Sequence, residues 1–279
     1  MSPGALRRRA ILALARKDLG VALRTPAVTL PLAIVPAIVY LALPLGLILA
    51  ARFAGGSLAA AELAELERFL AALPSGLQAE LADLAPAARM LVLVLGYLLA
   101  PMFLVVPLMV ASVLAADAFA GEKERGTLEA LLHAPVPERT LFAGKLLAAW
   151  LPAVAVGVVG AAAYAAVATA AAWPLVGRPF LPATVWITLA LWVGPAVALA
   201  ALAATVLISA RVRTFQEAYQ LGGVVVVPVV ALVIAQATGV LVLDGRLLLV
   251  VGAVVWALDV VLLAIGLRGF TRDALSRHL

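Results

Sequence analysis

The sequence predicts an all-α integral membrane protein: six transmembrane helices, an amphipathic interfacial helix ahead of them, and a short helix in the inner loop between spans two and three. Three observations carry that expectation. The chain is 66% hydrophobic and 13% charged, with a mean hydropathy of +1.16. A soluble domain carries about 25% charge and about 45–50% apolar residues, so a globular core cannot absorb the excess. Six apolar runs, near 27–51, 90–116, 146–172, 183–208, 219–239 and 247–267, are long enough to cross a bilayer, which takes roughly 20 residues at about 1.5 Å each. With the N-terminus inside, 15 of the 20 lysines and arginines fall in inner segments and 5 in outer ones, the bias that sets topology. Helices follow because a chain in hydrocarbon must satisfy its own backbone, and the runs are too long and uniform for barrel strands. The expectation is one transmembrane domain over residues 1–279, multi-pass in the cell inner (plasma) membrane, with N- and C-termini cytoplasmic.

Residues 5–24 read as a helix lying on the membrane. Ile11, Ala15, Leu19, Ala22 and Leu23 fall at helical spacing, Arg16, Lys17 and Arg24 reach toward headgroups, and Leu14 spoils a clean polar face. Thr25-Pro26 then reads as an N-cap with proline at the first helical position, bending the chain into span one. The first apolar run is too long for a cleavable signal, and no small-residue cleavage site follows it convincingly.

Between spans one and two, residues 52–89 carry Leu63, Leu66, Leu70 and Leu73 as one stripe, a break at Pro74-Ser75-Gly76, and Leu77, Leu81 and Leu84 on a second short helix. An outer helical hairpin and a polar connector both fit. Within the spans, Pro31, Pro36, Pro44, Pro101, Pro107, Pro152, Pro195 and Pro228 each remove a backbone donor and bend a helix. Gly157, Gly160, Gly222 and Gly223 permit close helix contacts. Tyr40, Tyr97 and Trp256 read as packing residues, and Trp173 and Trp186 as outer-interface residues.

The net charge of +5 and pI near 10.1 point to the anionic inner leaflet rather than to nucleic acid. The chain has no cysteine, which excludes disulfides and thiolate chemistry. His133 and His278 lie on separate inner segments, so no span holds a histidine metal pair. Asp259 is the one carboxylate deep in a span, and an aspartyl protease needs two facing acids. Gly144-Lys145 lacks both the earlier glycine and the following Ser/Thr of a phosphate loop, since Arg139 and Leu146 stand there.

The charged island Gly121-Glu122-Lys123-Glu124-Arg125-Gly126-Thr127-Leu128-Glu129 sits between two uncharged runs, at an inner turn. In the loop 118–138, residues 127–134 read as a short helix with Leu128, Leu131 and Leu132 on one face, while Glu122, Glu124, Arg125 and Glu129 project away from the membrane. Gly121 and Gly126 let the backbone turn; Pro135 and Pro137 end the element. A docking surface and a solvated loop both remain open. Asp259 costs about 2.5–3.5 kcal/mol at the bilayer centre on insertion scales, so it faces the bundle or a wet cavity, as a translocation or gating group or as a structural hydrogen-bond partner. Gln216, Glu217 and Gln220, at the inner end of span five, either line an entrance or cap and anchor the helix.

The run Glu124-Arg125-Gly126-Thr127-Leu128-Glu129-Ala130-Leu131-Leu132, followed by Pro135, Arg139, Gly144 and Lys145, resembles the signature of type-2 ABC exporter permeases. So does Arg213-Thr214-Phe215-Gln216-Glu217-Ala218-Tyr219-Gln220-Leu221-Gly222, which opens span five, and so does the N-terminal Arg16-Lys17-Asp18-Leu19. The resemblance covers almost the whole chain. It implies a permease subunit that pairs with a second copy or a paralogue and docks a cytoplasmic ABC ATPase subunit. The loop between spans two and three would be the coupling helix, with Glu122, Glu124, Arg125, Gly126, Thr127, Leu128 and Glu129 against the ATPase. It implies no cofactor on this chain, with ATP and Mg held by the partner, and no enzyme activity of the chain's own. An ion-gradient transporter and a non-transporting membrane anchor of a cytosolic complex are the competing readings. The first needs more ion-coupling polar groups at mid-membrane than Asp259 supplies, and usually an internal repeat, of which none is visible.

Overall fold

The computed structural model describes residues 3–53, 67, 70–71, 75–127, 137–238 and 243–269. Most of the segment 52–89 on its span-one side, and residues 128–136 of the inner loop, lie outside the described residues. Most of the first arm of the expected outer hairpin and the body of the expected inner-loop helix fall there; the second arm is described, as a helix over Ser75–Leu81. Every regular element among the described residues is helical.

Among the described residues six helices are long and apolar enough to cross a membrane: Pro26–Phe53, Pro86–Glu124, Arg139–Val176, Ala183–Ser209, Phe215–Gln236 and Gly245–Leu267, here called spans one to six. A helix over Pro3–Ala22 precedes them, and a short one over Ser75–Leu81 precedes span two. Leu84 falls beyond that short helix, in a turn where the Arg89 guanidinium donates to the carbonyls of Leu84 (2.7 Å) and Ala82 (2.6 Å). Spans two and four form the centre, with 67% of their apolar windows buried against 17% for spans one, five and six. Those three spans face whatever surrounds the chain. Their exposed leucines and valines, such as Leu30, Val227 and Val260, suit lipid or another apolar surface.

The N-terminal helix packs one face against span three. Its buried stripe includes Asp18 and Ala22, and Leu14 lies on the packed face, against Gly144 of span three. A Cβ on Gly144 would lie 3.0 Å from the Leu14 Cβ and 3.4 Å from the Ile11 carbonyl. Glycine is what lets the two helices close up here. Thr25 has extended geometry with Pro26 in the first turn, as expected, but makes no side-chain cap. Its hydroxyl donates back to Val21 O at 3.2 Å.

Three of the span prolines leave the same mark, while Pro31, Pro36 and Pro152 sit within regular α-helix. Pro44 follows a π turn over Ile38–Ala42, Pro101 follows one over Val92–Leu98, and Pro195 follows one over Leu189–Val193. Proline offers no N–H and its ring pushes the carbonyl of the preceding turn aside, so the preceding helix widens. In hydrocarbon the loosened carbonyls still need donors. Ahead of Pro101 two other spans supply them: Tyr164 OH donates to Leu95 O (2.7 Å) and Trp186 Nε1 to Gly96 O (2.9 Å); from a third, Gln236 Nε2 adds a bond to Tyr97 O (2.9 Å), which already accepts the Ala100 N–H. Trp186 is therefore a buried staple and not an interface residue. It stacks on Tyr164, ring centroids 4.5 Å apart, and meets Phe103 edge-on at 5.6 Å. Such pairs add about 0.5–1.5 kcal/mol beyond the area they bury. Tyr40 completes the cluster from span one. Its ring lies over Gly160, where a Cβ would enter the ring.

Candidate functional site

The site lies at the end of span two that carries the charged island. The island is not a separate turn: span two stays helical through Asp117–Gly121 and on to Glu124. Gly121 has helical dihedrals (φ −64°). Its role is space, because a Cβ there would lie 2.9 Å from Asp117 Oδ1 and 3.1 Å from Arg125 Nη1. Arg125 folds back over it to bond Asp117 at 2.9 Å. The turn comes at Gly126, whose φ of +67° is left-handed backbone, which glycine enters without a Cβ penalty.

Asp117–Gly121 is a π turn with no proline after it. A side chain holds it open instead. Lys145, at 0% exposure, inserts from span three and donates to Ala118 O at 2.7 Å. Insertion into the backbone ladder is a recognised cause of such distortion. The same ammonium pairs with Glu122 Oε2 at 2.6 Å and Asp18 Oδ2 at 3.4 Å, and stands 5.5 Å from the Phe119 ring centroid. Lys17 closes the ring of charges, 3.3 Å from Glu122 and 3.4 Å from Asp18. Burial alone would lower the Lys17 ammonium; Glu122 and then Asp18 outweigh it and hold it above the ordinary lysine value. Two acids and two bases thus tie the N-terminal helix, span two and span three together. A buried group of this kind is tolerated only when every charge has a partner.

A second set of contacts joins the base of span two to the start of span five. Lys123 Nζ donates to Val212 O at 3.1 Å. Glu124 Oε2 accepts from the Phe215 N–H at 2.8 Å, placing a carboxylate at a helix N-terminus, where the dipole favours it. Thr214 caps the same helix by accepting from Glu217 N at 3.2 Å, while Glu217 Oε2 accepts from Arg213 N at 3.1 Å. The two acceptances follow the reciprocal logic of a capping box, shifted by one donor. Ala218 packs on Ala116 and Ala120, so the helices meet through small side chains.

The expected site residues separate into groups. Glu122 is 6% exposed and turned into the bundle, contrary to the expectation that it projects outward: its two oxygens face two lysines. Glu124 and Arg125 are exposed but bonded within the chain. Gly126 and Thr127 are exposed at the turn, with Thr127 Oγ1 donating to Glu122 O at 3.2 Å. Leu128 and Glu129 lie outside the described residues. Gln216, Glu217 and Gln220 are all exposed on span five, and Glu217 does cap it. Asp259 belongs elsewhere, on span six. The buried side of that span runs from Gly252, against Trp192 of span four, to Gly266, where a Cβ would lie 3.4 Å from Phe142 of span three. Asp259 is 1% exposed, and neither carboxyl oxygen meets a hydrogen-bond donor among the described residues. Lys145 and Asp18 complete the site without having been expected in it. Their signal in the sequence is an acid on the apolar stripe of the first helix and a lysine, behind a glycine, at the edge of an uncharged run.

An all-helical bundle with six helices of membrane-spanning length and composition defines a polytopic membrane protein. The chain belongs to the ABC-2 family of transporter proteins: that family's profile matches residues 12–246, from the N-terminal helix to the start of span six. It is thus a transmembrane permease component of ABC transport. No curated protein and no solved structure matches it.

Proposed function

We propose that the chain is the membrane subunit of an ATP-driven exporter, moving its substrate out of the cytoplasm or inner leaflet with energy from a separate ABC ATPase. ATP and Mg sit on that ATPase, and this chain performs no chemistry. The observation that carries the reading is the junction at the base of span two. One segment is tied by Glu122 to the N-terminal helix and span three and by Lys123 and Glu124 to span five. A push on the loop that follows Gly126 reaches all three at once. Of the expected loop 118–138, the part beyond the buried end of span two, with Glu124, Arg125, Gly126, Thr127, Leu128 and Glu129, is the ATPase dock, and its short helix is the coupling helix. Glu122 acts from behind, holding the dock to the bundle.

Two permease subunits, identical or paralogous, make the working unit, with spans one and five as the meeting faces. Their exposure supports this, and the family resemblance selects them over the equally exposed span six. Both termini face the cytoplasm of an inner-membrane protein, and the helix Pro3–Ala22 lies at the interface. The test is purification of the tagged chain from its own membrane in mild detergent. An ATPase in stoichiometric amount, hydrolysing ATP in the complex, is the expected result; a chain that purifies without one refutes the reading.

Asp259 is the gating candidate within the spans. A carboxyl at that depth is costly, and the structural role open to it, a hydrogen bond to a neighbouring helix, finds no donor among the described residues. Asp259→Asn is expected to insert and assemble normally while the transport rate falls. A wild-type rate assigns Asp259 no part in transport.

A further inference from the structure

Span five is held at its island end and at Gln236, with a 3-10 break between them and one packed position, Val229, just beyond the break. At the island end, Glu124 caps it and Ala218 packs on span two. Above that, Gly222 lies against Thr205 of span four, where a Cβ would be 2.8 Å from Oγ1. The helix then tightens to a 3-10 turn over Gly223–Val226, and Pro228 follows within the next turn. A 3-10 stretch inside a helix often marks a hinge. Val224 within it and Val227, Val230 and Ile234 beyond it are exposed, while Val229 is buried. Gln236 ends the span, 3% exposed, reaching across to Tyr97 O.

The three side-chain donors ahead of Pro101 are not equivalent. Tyr164 and Trp186 are stacked on each other and locked into the aromatic cluster. Gln236 comes from a peripheral helix with a break below it. Its acceptor is also different: Tyr97 O already takes the Ala100 N–H at 3.0 Å, so it can lose Gln236 without being left bare. The Gln236 amide oxygen has no partner among the described residues, so the closed contact satisfies only half of this buried amide. A contact that costs little to open, on a hinged arm, has the character of a two-state element.

We propose that Gln236 is a positioning residue, a latch that holds the far end of span five against the broken segment of span two and releases it when the bundle changes state. The proposal rests on the exporter reading for what drives the change, but not for the latch itself. The native chain has no cysteine, so labels can be placed at will. Spin labels at Ala85→Cys and Thr238→Cys, both exposed, report the gap between the far ends of spans two and five in nanodiscs, with labelled chain diluted into unlabelled chain. No ATPase, nucleotide or substrate enters the measurement, so its outcome is independent of the purification test above.

The latched chain gives one narrow distance. Gln236→Met keeps length and volume but has no donor, and a released arm gives a longer distance distribution, about twofold broader. If that variant fails to insert, Gln236→Asn, whose arm is too short to reach Tyr97, is read the same way. Gln236→Glu at acid pH, where the neutral carboxyl can donate, retains the narrow distance; simple loss of packing gives no such rescue. A donor-less variant with the wild-type distribution overturns the proposal, as does a neutral Gln236→Glu that is as broad as Gln236→Met.

Discussion

Lys145→Met is expected to cost about 3–5 kcal/mol of stability, the usual penalty for stranding buried charge. Lys145 is fully buried, and its ammonium is shared by Glu122, Asp18 and Ala118 O. Methionine fills the space but leaves Glu122 with only the half-exposed Lys17, and Ala118 O without its side-chain donor. A long-range surface ion pair would contribute about 0–1 kcal/mol; burial moves this one into the larger class. Adding Glu122→Gln to Lys145→Met removes one stranded charge, so the double variant is expected to be more stable than Lys145→Met alone. Thermal unfolding in detergent reads both. Lys145→Met with unchanged stability would mean that the carboxylates find other partners and that the junction is not held by this lysine.

The second large effect is expected at the opposite end. Tyr164→Phe preserves the stacked ring and removes the donor to Leu95 O; Trp186→Phe keeps an aromatic ring in the stack but removes the donor to Gly96 O together with part of the buried indole, so a packing loss adds to its cost. Side-chain hydrogen bonds between membrane helices average only about 0.6 kcal/mol, because the separated helices find other partners. Here the acceptors are backbone carbonyls beside a proline break, with few alternatives in lipid. The appropriate figure is that of a buried polar group left unpaired, about 1–3 kcal/mol for each variant. Because the two residues touch, their effects should not add. Unfolding curves for the two single variants and the double variant check this. Single variants within a few tenths of a kcal/mol of wild type would show that the widened turn satisfies its own carbonyls.

The spans themselves were legible because lipid imposes a length and a composition that little else in a sequence imitates. The start of span five was legible only in part: capping was one of two readings open for Glu217, and the Thr214 cap that begins the helix at Phe215, four residues before the apolar run, was not singled out. What could not be read was direction. Glu122 and Glu124 are two apart in one charged run, yet one faces two lysines in the interior and the other caps a distant helix. Only the path of span two through Asp117–Glu124 decides this, and that path depends on Lys145, which lies far along the chain. Trp186 misled for a similar reason. A tryptophan near a span end suits the membrane interface, but the proline in span two makes a buried acceptor for it that has no signature in its own neighbourhood.

In the proposed function an ATPase couples to this bundle at the base of span two. Reversing Glu129 to lysine tests that coupling most directly, because repulsion at a docking rim weakens association while Lys145, Glu122 and Asp18, and the Glu124 cap on span five, are left intact to keep the fold. The measurement is ATPase recovery with the permease, together with substrate-stimulated hydrolysis after reconstitution. The expected result is an inserted, stable permease that retains less ATPase and whose hydrolysis no longer responds to substrate. Normal recovery with a normal substrate response would contradict the coupling role.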